Sequence, residues 1–308
     1  LKNAGDVLGI IPVAALASGE ILQLPDGRAG YLAGLQAAAI GDLNRGLQVK
    51  GRITVPKTAD LNFLDGGKVF WDTSASKAHF KKDHGDFYLG RAVGDSLAAA
   101  TTVVVEMNVD PPEFVDMSDA GSLFLNVLVG SATYVIEAGA SARLTMIATN
   151  EAEKTDLLSV LACPVARKCI LEARVALTAA ANATDINIGL ANGTHASDFE
   201  SVTEFCGIHM DGAAAHIYAQ SRDGTTTVTV TDTTVDWAAD TIFEVWVDCR
   251  NSSDIQIYIN AVLVLTATVF KLNAATGPLK AVVHCEKSSS TDTAIVRVES
   301  LSIRTMDN

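Results

Sequence analysis

Period-2 alternation in short segments, each closed by a turn signal, constrains this chain more than any other feature. After the turn Gly66-Gly67, Lys68, Phe70 and Asp72 alternate with Val69 and Trp71, so one face can bury an aromatic ring while the other is mixed. Further along, Phe243, Val245 and Val247 alternate with Glu244, Trp246 and Asp248. Across the turn Arg250 to Asp254, Ile255, Ile257 and Ile259 alternate with Gln256, Tyr258 and Asn260. Such spacing leaves no room for helical crossovers, and an all-β fold of antiparallel sheets is predicted.

The 308 residues are enough for two ordinary cores. The break is placed at Asp110-Pro111-Pro112-Glu113, because consecutive prolines end a ladder strand and favour an extended connector. Upstream, strands are predicted at 20–24, 30–35, 47–55, 68–72, 88–93 and 101–107, with a single helical turn at 37–40; together they make a small barrel or sandwich. Downstream, longer strands are predicted at 169–177, 185–190, 215–219, 225–231, 241–249, 255–259, 281–285 and 294–303, the last closing its sheet. The expected organisation is a first domain at 1–109, a linker at 110–129 and a second domain at 130–308.

Hydrophobic residues make up 48% of the chain and charged residues 19%, which disfavours disorder. The apolar stretches fall short of the roughly 20 residues a bilayer span needs, so no membrane partner is expected. No basic start followed by a hydrophobic run is visible at Leu1, so no secretory signal is read. The net charge of -13 is uneven: residues 1–110 carry 11 basic and 12 acidic side chains, residues 111–308 carry 12 and 24. A strongly acidic second half is repelled by phosphate backbones and is not expected to bind nucleic acid directly. The near-neutral first half is freer to pack against another protein. Five cysteines, Cys163, Cys169, Cys206, Cys249 and Cys285, form no CxxC pair and read as reduced, mostly buried thiols. A single bridge such as Cys163 to Cys169 is the alternative.

Catalytic and metal-binding patterns are weak. Glu200 and Glu204 lie four apart, a spacing that shares a face only on a helix, and they read as a solvated loop. His209 and His216 flank Asp211-Gly212, and His284 abuts Cys285. Tetrahedral metal sites show tighter pairs, so these read as satisfied surface or core histidines. His79 and His84, with Lys77, Lys81 and Lys82 around Asp83, form the one basic cluster. It lacks stacking aromatics beyond Phe80 and reads as a solvated loop. Gly-rich phosphate cradles and a Gly-x-Ser-x-Gly elbow are absent. No catalytic, cofactor or metal residue is assigned, and the chain is not expected to be an enzyme.

The ordered series Ala4-Gly5-Asp6-Val7, Gly51-Arg52-Ile53-Thr54-Val55-Pro56-Lys57, Gly67-Lys68-Val69-Phe70-Trp71-Asp72, Leu89-Gly90-Arg91-Ala92-Val93 and Thr101 to Met107 resembles the small β-barrel or β-tulip-like domain of tailed-bacteriophage capsid decoration (cement) proteins. The usual Tyr before Trp-Asp is Phe70 here. The resemblance implies a virion structural protein, made in the host cytoplasm and carried on the outer surface of the capsid. It would bind the major capsid protein of the mature head as a homotrimer and stabilise the shell. Capsid or trimer contacts are expected at Leu1, Lys2, Asn3, Lys57, Trp71, Lys81 and Lys82.

The second half is similar to concanavalin-like (laminin-G-like) jelly rolls through Ile170 to Val175, Ile188 to Leu190, Gly207-Ile208, Ile217-Tyr218, Asp236-Trp237, Phe243 to Asp248 and Ile257 to Val264. A turn that is usually Asp-Gly is Asn260-Ala261 here, weaker because Ala resists positive φ. The resemblance implies a sandwich projecting outward. It also raises an alternative, a glycan-binding adhesin on a head fibre or tail with Trp237 touching the sugar. A carbohydrate-active enzyme is more remote. Glycoside hydrolysis needs two carboxylates flanking the bond, and the Glu-x-Asp-x-x-Glu run of the hydrolase branch does not occur.

Overall fold

The computed structural model describes residues 7–10, 12–34, 37–42, 45–83, 85–109, 124–137, 141–181, 184–194, 199–212 and 214–305. The chain divides into two compact units, Leu1–Pro112 and Glu113–Asn308.

In unit 1, β1 (Val7–Ile10), β2 (Ile21–Gln23), β3 (Ala29–Tyr31) and β4 (Arg45–Gln48) form an antiparallel sheet in the order β1-β4-β3-β2. A second sheet, in the order β5-β9-β8-β6-β7, contains β5 (Gly51–Pro56), β6 (Lys68–Asp72), β7 (Lys77–His79), β8 (Phe87–Ala92) and β9 (Thr102–Met107). A parallel bridge between Lys57 and Ala78 brings its two edges, β5 and β7, together. The stretch 47–55 is therefore two strands in two sheets, parted where Gly51 turns the chain at a φ of 96°. Residues 37–40 are not helical. Ala38 pairs with Leu16 through two backbone hydrogen bonds of 2.9 Å, a better outlet for its backbone than a helical turn too short to propagate.

The motif around Leu89-Gly90 has a mechanical origin. Val69 pairs with Gly90 but Phe70 pairs with Tyr88, so Leu89 is an extra residue and β8 carries a bulge. A Cβ on Gly90 would lie 2.0 Å from the Glu106 carbonyl oxygen, a separation no side chain tolerates. Just past β9, the Asn108 side chain donates to the carbonyls of Ala29 and Val49 and accepts from the Ala29 amide, all at 2.8 Å. One amide thus ties β3 and the β4–β5 connection to the end of β9.

Unit 2 is a sandwich of two seven-stranded antiparallel sheets, the architecture implied by the jelly-roll resemblance. The first, in the order β10-β13-β22-β15-β16-β17-β18, contains β10 (Phe124–Val129), β13 (Glu151–Ser159), β15 (Thr184–Ala191), β16 (Glu204–Asp211), β17 (His216–Asp223), β18 (Thr227–Asp236) and β22 (Lys280–Ser290). The second, in the order β11-β12-β23-β14-β19-β20-β21, contains β11 (Thr133–Ile136), β12 (Ala142–Met146), β14 (Cys169–Ala180), β19 (Ile242–Asp248), β20 (Gln256–Ile259), β21 (Val262–Val264) and β23 (Ala294–Thr305). Alternate residues of both sheets meet in one core: Leu157, Ile188, Ile208, Ala219 and Val283 from the first, Leu144, Val175, Val245, Ile257 and Val296 from the second. All five cysteines are free and buried.

Two expectations for this half change. Residues 124–129, read as linker, are strand β10, paired with β13 from Phe124–Ser159 to Val129–Lys154; their apolar run extends a sheet that the prolines upstream cannot join. The last strand does not close its sheet but lies inside it, between β12 and β14. At the β20–β21 turn both Asn260 and Ala261 take positive φ, 51° and 63°, so Ala occupies the place where Gly is usual. The expected hairpin β19–β20 is present, with Val245 opposite Ile259 and Val247 opposite Ile257.

Replacing Gly90 by Ala is expected to destabilise unit 1 by about 3 kcal/mol, because the bulge has to open to admit the methyl group. Urea denaturation followed by Trp71 fluorescence measures this. The unit 2 control Gly193→Ala, where a Cβ meets nothing within 4 Å, should leave the midpoint of unit 1 unchanged.

Candidate functional site

In unit 1 the expected contact residues separate into two groups. Lys57 is buried, and its ammonium donates to the carbonyls of Leu61 and, at 2.8 Å, Leu97; desolvation holds its pKa below the usual lysine value. It clamps two loops and presents no charge outward. Trp71 is buried on β6 beside a cleft of about 580 Å³, with Ile21, Tyr31, Val55, Pro56, Thr73 and Ser76 among its other walls. Asp72, next in the motif, accepts from the amides of Ser74 and Ala75 and from the Ser74 hydroxyl, and this turn, through the Ser74 hydroxyl first, lowers its pKa. Lys81 and Lys82 are exposed beyond β7. Leu1, Lys2, Asn3 and His84 lie outside the described residues.

In unit 2 the conspicuous group is a row of polar side chains on the face of the first sheet turned away from the shared core. Strand register sets Asp156 of β13 opposite His284 of β22, His284 opposite Asn187 of β15, Asn187 opposite His209 of β16, and His209 opposite Tyr218 of β17. Two residues along each strand, on the same face, Lys154 faces Glu286. His284 Nδ1 contacts Asp156 Oδ1, its Nε2 lies 3.1 Å from Glu286 Oε2, and Lys154 Nζ is 2.7 Å from the same oxygen. His284 is fully buried and Asp156 nearly so.

Charge balance explains this quartet. Two carboxylates and one ammonium sum to -1, and a protonated His284 brings the set to zero, the arrangement that costs least in a buried site. Burial opposes charge on His284, but the contacts with Asp156 and Glu286 outweigh it and hold its pKa above the ordinary value. Burial likewise opposes charge on Glu286, yet His284 and Lys154 bring its pKa down to about 2. The Phe199 ring stacks on His284 at 4.6 Å, the Phe199 amide donates to Glu286, Thr194 donates to Asp156, and Arg222 reaches the carbonyls of Phe199 and Glu200. The carboxylates are thus closed off by protein and already satisfied, an arrangement suited to holding strands and the 199–202 segment together.

Farther along the row, His209 Nδ1 donates to Asn187 Oδ1 at 3.1 Å, and Gln220 donates to the same oxygen at 3.2 Å. Burial holds the His209 pKa below its usual value, so the ring is neutral at physiological pH. His216 is exposed and paired with Asp236 at 2.6 Å, and both His209 and His216 flank Tyr218, with ring centroids 6.5 and 6.3 Å from it. Among the described residues no group of three or more His, Cys, Asp or Glu side chains is placed to hold a metal ion. Glu204 is not in a solvated loop: it is buried at the start of β16 and accepts from the amides of Thr276 and Gly277. Trp237 packs partly buried against the core and donates to the Ala214 carbonyl at 3.4 Å. The quartet joins residues more than 120 positions apart, and its one sequence trace is a pair of ionisable residues spaced by two in each of two apolar strands, Lys154/Asp156 and His284/Glu286.

Residues 3–107 match the model of the phage cement protein family, about a third of the chain and nearly all of unit 1. No match to a curated protein is found. Similar solved structures include one from work on endo-acting O-glycanases expressed by prominent members of the human gut microbiota, at 9% identity and a TM-score of 0.44, covering 58% of this chain and 85% of that one. The carbohydrate binding module CBM66 from Bacillus subtilis is similar at 6% identity and a TM-score of 0.41, covering 59% and 97%. The carbohydrate recognition domain of Emp46p in its potassium-bound form is similar at 11% identity and a TM-score of 0.42, covering 62% and 92%.

Two outcomes follow from the geometry. Lys57→Met should destabilise unit 1 by about 1–3 kcal/mol, because two carbonyls lose their donor; chemical denaturation measures it. For unit 2, the raised His284 pKa adds stability that is present below the unfolded histidine value and lost as pH rises through the folded one. The lowered Glu286 pKa adds stability present above the unfolded carboxyl value and lost as pH falls toward about 2. Thermal unfolding across pH should show both limbs, and His284→Gln should remove the alkaline limb while lowering stability by about 3–5 kcal/mol at mildly acidic pH.

Proposed function

From an N-terminal unit matched to the phage cement protein family, we propose that the chain is a capsid decoration protein. Unit 1 binds the major capsid protein of the mature head as a homotrimer, and unit 2 is carried on the outer side of the shell. The observation that carries this reading is the coincidence of the match, residues 3–107, with a compact unit ending at Pro112. The near-neutral charge of residues 1–110 supports it, since a docking surface with little net charge meets little repulsion. Leu1, Lys2, Asn3 and the exposed Lys81 and Lys82 are the proposed contacts, whereas Lys57 and Trp71 act by holding the unit together. The role is structural and not catalytic, and it is mass action: a ligand that binds the mature shell alone stabilises it by about 2.7 kcal/mol per site at one hundred times its Kd. Many sites on one shell, each engaged by three linked copies, add avidity.

Co-sedimentation with expanded heads lacking the protein tests this, with unexpanded heads as the control. Saturable binding to expanded heads, in copy numbers divisible by three, is expected. Absence of binding to either head form would overturn the reading.

A further inference from the structure

Three of the five thiols in unit 2 meet at one end of the sandwich. Cys169 opens β14 and Cys249 directly follows β19. The ladder that sets Ile170 opposite Asp248 continues to set Cys169 opposite Cys249, and the Cys249 amide donates to the Cys169 carbonyl at 2.9 Å. Cys163 arrives from the connection between β13 and β14, where its amide and carbonyl pair with Leu279 at 2.7 and 2.9 Å. All three side chains belong to the shared core, and the Cys169 thiol hydrogen-bonds with both of the others. The sulfurs thus form a short chain with Cys169 in the middle. Cys206 on β16 and Cys285 on β22 belong to the other sheet.

This geometry suits a disulfide. A hydrogen-bonded cross-strand pair holds its Cα atoms roughly 5.5 Å apart, inside the range of about 4.4–6.8 Å that a disulfide spans. Cys169 touches two thiols but can bond only one of them, so an oxidised cluster leaves a thiol next to a disulfide, the arrangement in which exchange occurs. The closed cluster is unreactive, because the nucleophile is the thiolate and the hydrogen bond with Cys169, together with burial, holds the Cys163 thiol far above its usual pKa. Cys163 and Cys249 each keep 5% exposure against 1% for Cys169. Cys163 also sits on a connection that an isolated bridge ties to Leu279 and that carries the exposed Val160 and Leu161. Opening of that connection is the entry route for an oxidant.

We propose that Cys163, Cys169 and Cys249 form an oxidation site, at which a low-molecular-weight disulfide converts two thiols into one internal disulfide that always includes Cys169. The Cys163 thiolate attacks one sulfur of the small disulfide. Its S–S bond breaks, one small thiolate leaves with the electron pair and takes up the proton that Cys163 gave up, and Cys163 is left in a mixed disulfide. The Cys169 thiolate then attacks the Cys163 sulfur, the second small thiol leaves in the same way, and the Cys163–Cys169 bond forms. Attack by the Cys249 thiolate on Cys169 moves the bond to Cys169–Cys249 and returns the Cys163 thiol. In sum, two protein thiols are oxidised and one small disulfide is reduced to two thiols. A Cys169–Cys249 bond staples β14 to β19 and restricts the unfolded chain, so unit 2 gains stability wherever the surroundings are oxidising. The inference rests on unit 2 alone and holds whether or not unit 1 binds a capsid.

Incubation of the folded full chain with oxidised glutathione tests it, with reduced glutathione as the control. The remaining thiols are then alkylated in denaturant, and the products are read by intact mass and peptide mapping. The expected product has lost two hydrogens, carries one bridge at Cys163–Cys169 or Cys169–Cys249, leaves Cys206 and Cys285 alkylated, and unfolds at a higher temperature than the reduced chain. Mapping of the unaltered chain removes any dependence on how variants fold. Cys169→Ser should abolish the bridge, whereas Cys206→Ser should leave it in place. Alkylation of all five cysteines, glutathione adducts that never resolve into an internal bridge, a bridge that includes Cys206 or Cys285, or a Cys163–Cys249 bridge in Cys169→Ser would each overturn the proposal.

Discussion

Every strand in this all-β chain has to find backbone partners that lie far away in sequence, and the remaining features follow from how that is done. β14 is paired on both sides along most of its twelve residues, by β19 and by the C-terminal strand β23. Because β23 lies inside its sheet, the sandwich cannot be completed until residues 294–305 have entered between β12 and β14. Such non-local pairing makes slow folding the expectation. Unit 1 meets the same demand on a smaller scale by joining β5 to β7 at Lys57 and Ala78, with the Lys57 ammonium taking two further carbonyls.

Backbone pairing alone does not fix register, and the buried charges of unit 2 add that information. A one-residue slip of β22 against β13 would turn His284 and Glu286 into the apolar core and pull Val283 and Cys285 out of it, leaving Asp156 and Lys154 without partners. Buried ion pairs are weak sources of net stability but costly to break singly, so the quartet acts more as a register lock than as glue. Its carboxylates are already bound by His284, Lys154, Thr194 and the Phe199 amide, so their contacts go to holding strands and the 199–202 segment in place.

Much of this was legible in the residues. The alternation at 68–72 and 243–259 placed β6, β19 and β20. The glycine in Leu89-Gly90 and the aspartate after Trp71, noticed as a pattern, prove to serve a bulge and a turn. What sequence could not show was tertiary. A lysine between two loops looks the same on paper whether its amine meets water or carbonyls, so Lys57 was read as a surface contact. The quartet's two pairs are separated by more than 120 residues, and nothing local marks one pair as the neighbour of the other. β10 escaped because it follows a connector and its apolar residues do not alternate.

The central claim is that the N-terminal unit grips the shell and the acidic sandwich does not. Cryo-electron microscopy of mature heads decorated with the full chain tests this most directly. The account predicts ordered density for unit 1 against the major capsid protein, repeated around three-fold positions, with unit 2 at larger radius and free of the shell. Unit 2 seated on the shell, or heads without ordered density for either unit at saturating protein, would contradict it.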